Sequence, residues 1–115
     1  MIKNILVPIF DIEVFVFTTR KDCKNVTKML DMESLLHVYD RTSGFVASAD
    51  GCPMLICISD TKHPHVVAHE CAHLAYNIQQ KTGINFNDEV NAYLIDYLFK
   101  TISKIINPKK HKKHA

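Results

Sequence analysis

The stretch Pro64-His65-Val66-Val67-Ala68-His69-Glu70-Cys71-Ala72-His73-Leu74-Ala75-Tyr76-Asn77-Ile78 carries two spacings at once. Val67, Cys71, Leu74, Ala75 and Ile78 recur at the three- and four-residue steps of one helix face. His69, Glu70, His73 and Asn77 fall on the neighbouring stripe. A helix is therefore predicted with one face on a core and a polar row beside it. Ser59, Asp60 and Thr61 are candidate caps, Pro64 suits the first turn, and Gly83 after Lys81 and Thr82 suits the stop.

Within that row, His69-Glu70-Cys71-Ala72-His73 reads H-E-x-x-H. Histidines four apart on a helix point the same way. Two imidazoles so placed can grip one Zn²⁺, with Glu70 beside it as a general base. With seven histidines and four glutamates in 115 residues, the pattern arises by accident in roughly one or two such chains per hundred. The competing reading is a pair of surface histidines on an ordinary helix.

A catalytic zinc takes three protein ligands and leaves one position for water. The following segment offers the third. Asn87 and Asp88 read as caps, and Glu89-Val90-Asn91-Ala92-Tyr93 opens a second helix. Glu89 is the only glutamate after the motif. Ala92, one turn on, is small enough to let the two helices approach closely. Val90, Leu94, Ile95, Leu98, Phe99, Ile102, Ile105 and Ile106 form a separate core face. Glu89 could instead simply favour the positive end of its own helix.

H-E-x-x-H on one helix followed by E-x-x-A on the next resembles the gluzincin branch of zinc metallopeptidases. That branch includes thermolysin-like enzymes and the small ImmA/IrrE-type peptidases that cleave phage-type repressors. The chain also resembles short phage-encoded zincins with an H-E-C-x-H helix and a D-E-x-x-A-Y-L helix. The resemblance spans His69 to about Tyr97, roughly a quarter of the chain. It implies His69, His73 and Glu89 as zinc ligands, Glu70 as catalytic base, and a peptide or protein substrate. Two features depart from the pattern. Residues 74–88 form a short connection for a thermolysin-like protein. Tyr93 stands where such enzymes often carry an aspartate to orient a ligand histidine; Asp96 is either its substitute or an ordinary surface aspartate.

Length and composition suit one domain, residues 1–107, with a basic, disordered tail at 108–115. Close to half the residues are apolar, yet no run approaches the ~20 residues of a membrane span. Asp11 and Glu13 interrupt the apolar N-terminus, so it does not read as a signal peptide, and a cytoplasmic location is expected. The likeness to phage-encoded proteins extends this to a host cytoplasm or a virion.

Ile2–Ile9 and Ile12–Thr18 read as strands, with a bend at Pro8 and Asp11. Lys24–Leu36 reads as a weak helix. Phe45–Ala49 and Met54–Ser59 read as a hairpin across Asp50-Gly51. The expected fold class is α+β, a small, mainly antiparallel sheet backed by two or three helices. With the resemblance, this becomes a minimal zincin-like lobe whose C-terminal helix supplies the third ligand. An edge strand at Gly44–Ala49 would hold substrate by strand addition.

The remaining residues carry weaker signals. Cys23, Cys52, Cys57 and Cys71 show no C-x-x-C spacing, so a disulfide framework is disfavoured and burial is expected. His65, one turn before His69, and Tyr76, Tyr93 and Tyr97 are candidates to line the site or stabilise an oxyanion. A net charge of +2 confines any basic surface to Lys109–His114. Three function classes follow: a zinc peptidase; a catalytically inactive zinc-binding interaction or virion-associated module, with a protein partner; and a small nucleic-acid-binding regulator using the tail.

Overall fold

The structure, a computed structural model, describes residues 1–8, 10–48, 51, 53–83 and 88–108. It is an α+β fold of eight elements: β1 Lys3–Val7, β2 Ile12–Phe17, α1 Arg20–Met29, α2 Leu35–Arg41, β3 Gly44–Ala47, β4 Met54–Ile58, α3 Pro64–Thr82 and α4 Asp88–Ile106.

The four strands form one sheet in the order β1-β2-β4-β3. β1 pairs antiparallel with β2, and β3 antiparallel with β4. The central pair, β2 with β4, is parallel. The sheet is therefore mixed rather than simply antiparallel. A parallel pair needs a crossover, and residues of α1, α2 and β3 supply it.

Every residue of β4 is buried. Its alternation splits the core into two layers. Met54, Ile56 and Ile58 face a cluster with Val14 and Val16 of β2, Val67, Cys71, Leu74 and Ile78 of α3, and Leu94, Leu98 and Ile102 of α4. Leu55 and Cys57 face the other way, with Phe17, Cys23, Val26 and Phe45. Phe17 and Phe45 meet edge to face, ring centroids 6.4 Å apart, the arrangement aromatic quadrupoles favour. Helices thus cover both faces of the sheet: α1 and α2 on one, α3 and α4 on the other.

The weak helix expected over Lys24–Leu36 is two helices. Thr19 starts α1 early, its Oγ1 accepting from the Asp22 N–H at 3.1 Å, a cap that satisfies an orphan donor. After Met29 the chain reverses. Asp31 takes a left-handed φ of 56°, and the Met32 N–H donates to the Thr27 carbonyl at 2.7 Å. α1 and α2 are then tied by Arg20, which donates from Nε to Asp40 Oδ1 at 2.8 Å and from Nη2 to Oδ2 at 3.2 Å.

The stripes of α3 and α4 fall where the spacing put them. Val67, Cys71, Leu74, Ala75 and Ile78 are buried, and Gly83 ends α3 with a left-handed φ of 71°. The N-cap of α3 is His63, not Ser59, Asp60 or Thr61. Asp60 instead accepts from the Lys62 N–H at 3.1 Å and holds His63 Nδ1 at 2.7 Å, shaping the turn that enters the helix. On α4, Leu94, Leu98 and Ile102 are fully buried.

The β3–β4 hairpin forms as expected, although Ala49, Asp50 and Cys52 of its connection lie outside the described residues. Asn87, the candidate cap of α4, and residues 109–115 of the basic tail also lie outside them. Among the described residues, no helix is long and apolar enough to cross a membrane.

Leu98 packs α4 onto α3 and the sheet at zero exposure. Leu98→Ala is expected to lower the unfolding free energy by about 2–5 kcal/mol, read from the denaturant midpoint at unchanged slope.

Candidate active site

The polar row of α3 lies at the boundary between core and solvent, and three of its side chains meet beside β3. His69 and His73 are exposed and one helical turn apart. Their Nε2 atoms approach to 3.1 Å, and the rings cross edge to face at 78°. At that distance one ring nitrogen is within hydrogen-bond reach of the other. Two nitrogens on a tetrahedral zinc, each ~2.0–2.1 Å from the ion, would stand about 3.3–3.4 Å apart. The separation of the two nitrogens is thus close to what a shared metal would set.

Glu70 lies on the inner side of this pair with only 7% of its surface exposed. Burial pushes its carboxyl above the ordinary glutamate range, partly countered by the charge of His69 and His73. A desolvated carboxylate holds a proton more readily, and that is the property a general base near neutral pH requires. Among the described buried side chains Glu70 is the one carboxyl; the other polar ones are Thr27 and Gln79.

β3 forms the opposite wall. It is the edge strand next to β4, so one of its sides offers backbone groups that β4 does not pair. Two cavities open where β3 faces α3. One, about 310 Å³, is bounded by Gly44, Phe45, Val46, His69, Glu70, His73 and Asn77. The other, about 530 Å³, is bounded by Thr42, Ser43, Gly44, His65, Val66, His69 and Glu70. They share Gly44, His69 and Glu70, so His69 and Glu70 stand at the middle of one groove running between strand and helix.

The structure thus brings together His69, Glu70 and His73, with the front of the predicted edge strand alongside. His65 lines the wider cavity as its spacing suggested. Thr42, Ser43 and Val66 were not legible as site residues. The first two precede the strand, and Val66 lies outside both stripes read on the helix; only the packing of β3 on α3 places them beside the groove.

Glu89 is a different matter. It is exposed in the first turn of α4. Among the described residues, no group of three or more His, Cys, Asp or Glu side chains converges to hold a metal. Glu89 is therefore not drawn into one cluster with His69 and His73. Ala92, expected between the helices, is exposed; beside the apolar contact of the two helices, Gln79 Nε2 donates to Asn91 Oδ1 at 3.0 Å. Asp96 is not behind a ligand histidine. It pairs with Lys100 at 3.2 Å on the surface, as i,i+4 spacing favours. Tyr76 and Tyr93 are exposed and Tyr97 stacks on Tyr93; none of the three lines either cavity.

The described thiols are buried rather than activated. Cys23, Cys57 and Cys71 are buried and free. Burial raises all three, and Cys71 is pushed up to about 12, so each stays protonated at neutral pH. Cys52 lies outside the described residues.

No known protein family, no curated protein and no solved structure matches this chain.

An acid whose proton affinity is raised by folding weakens the fold as pH climbs through the unfolded glutamate range. In metal-free protein, Glu70→Gln is therefore expected to melt higher than wild type at pH 7. The difference should vanish near pH ~4, where the unfolded carboxyl is also largely protonated. Equal melting temperatures at pH 7 would show that the two imidazoles fully offset the burial.

Proposed function

We propose that this chain is a zinc-dependent peptidase, with His69, His73 and Glu89 as the metal ligands and Glu70 as general base. The observation that carries the reading is the His69–His73 pair, Nε2 to Nε2 3.1 Å, beside a carboxyl that burial makes proton-hungry. An edge strand alongside supports a polypeptide substrate, because an extended chain can add to it by main-chain hydrogen bonds.

Zinc, when bound, supplies a polarised water and a Lewis acid for the carbonyl. The chain's own residues do the rest. His69 and His73 would offer their Nε2 atoms to the metal from one helix turn. Glu70 takes the proton of the attacking water on a carboxylate oxygen and returns it to the leaving nitrogen. β3 holds the substrate backbone extended across Glu70, and the two cavities receive the residues on either side of the scissile bond.

The exposed position of Glu89 favours a second reading, a zinc-binding interaction module without turnover. In that reading a partner or a further protein group completes the ligand set, and the closed site leaves no position for water.

Zinc content separates the two. Wild type is expected to hold about one zinc per chain, His69→Ala to lose it, and Glu89→Ala to bind it at least ~10-fold more weakly. Zinc-loaded wild type should cleave peptides from a mixed-sequence pool, and Glu70→Gln should keep the metal while losing at least ~100-fold in rate. Zinc held equally well by Glu89→Ala would remove Glu89 from the ligand set. A wild-type chain that holds zinc and cleaves nothing would leave the interaction module.

A further inference from the structure

Gly44 opens β3 opposite Ile58 of β4. Its backbone is not left-handed; among the described glycines only Gly51 and Gly83 have positive φ. Conformation alone therefore does not call for glycine here. Space does. A Cβ at this position would lie 2.9 Å from Glu70 Cγ, 3.4 Å from Glu70 Cδ and 2.9 Å from the Cys57 carbonyl oxygen. Carbon atoms rest at about 3.5–4.0 Å, so a methyl group enters only if something yields.

Two things can yield. β3 can lift from β4, which strains the Gly44–Ile58 end of their ladder. The Glu70 side chain can swing away, which relieves its own contact but not the one with the Cys57 carbonyl. The backbone of α3 cannot retreat easily, because Val67, Cys71 and Leu74 anchor it in the core at 2% exposure or less. Of the two close contacts, only the one with Glu70 can be relieved by a side chain, whose way out is into the groove and solvent; the contact with the Cys57 carbonyl is with backbone and stays.

We infer that Gly44 is a positioning residue for Glu70. The missing side chain lets the methylene stem of Glu70 lie against the backbone of β3. That contact holds the carboxylate inward, at the junction of the two cavities, where an extended chain on β3 must pass. The consequence for turnover rests on the peptidase reading; the seating of Glu70 by Gly44 does not.

The test compares Gly44→Ala, Glu70→Ala and the double variant with wild type. Thermal unfolding of the metal-free proteins reads the seating. Steady-state cleavage of an internally quenched, mixed-sequence peptide pool by zinc-loaded wild type and Gly44→Ala reads its consequence. Gly44→Ala is expected to lower the melting temperature by about 5–10 °C, and by measurably less when Glu70 is already Ala, the remainder coming from the Cys57 carbonyl. Its kcat should fall at least ~10-fold with KM within about twofold, because the base is displaced while the strand still binds. A Gly44→Ala chain that folds only together with Glu70→Ala gives the same answer. Equal losses of melting temperature in both backgrounds, failure of both to fold, or an unchanged kcat would overturn the inference. The first two would assign the glycine to the Cys57 carbonyl alone. If zinc-loaded wild type cleaves nothing, the peptidase reading fails, and the melting comparison still decides whether Gly44 seats Glu70.

Discussion

The fold hangs on β4. Five consecutive buried residues leave this strand no solvent face, so both its sides must be covered. Met54, Ile56 and Ile58 require α3 and α4, while Leu55 and Cys57 require α1 and α2. Apolar burial on both faces is the usual state of a strand with a parallel neighbour, and β4 is parallel to β2. Once β4 is clamped, β3 has only one place to go, the free edge beyond it, and α3 lies across the same end of the sheet.

That geometry accounts for the site. A helix packed through Val67, Cys71, Leu74 and Ile78 must place its adjacent stripe at the rim of the core. His69 and His73 emerge into solvent, and Glu70, between them in sequence, is turned inward against β3. Burying a carboxylate without close compensation is unfavourable, and groups kept in that state cluster at functional sites. The two histidines supply part of the compensation. A metal shared between them would supply more, which links the zinc reading to the stability of the fold itself.

The α4 side is less closely built. Its core face is as apolar as the spacing indicates, and Leu94, Leu98 and Ile102 hold it on α3. Glu89 lies one turn before that anchored region, next to residues 84–87, which fall outside the described set. A first-turn carboxylate suits the helix dipole wherever the turn points. The sequence position of Glu89 therefore carries the ligand assignment alone, whereas His69, His73 and Glu70 are also supported by their mutual geometry.

Helix periodicity is local, and what it governs was legible without coordinates. The stripe of α3, the core face of α4, the stop at Gly83, the hairpin of β3 with β4 and the convergence of His69 with His73 all follow from spacings of two, three or four residues. Other features depend on contacts between distant segments. The parallel pairing of β2 with β4, the split of one weak helical stretch into α1 and α2, and helices on both sheet faces belong here. So do Thr42 and Ser43 in the groove wall and the exposed place of Glu89. The sequence by itself determined which side chains share a helix face. Only the tertiary structure decided which strand lies across that face, because the choice of edge is made by what β4 must bury.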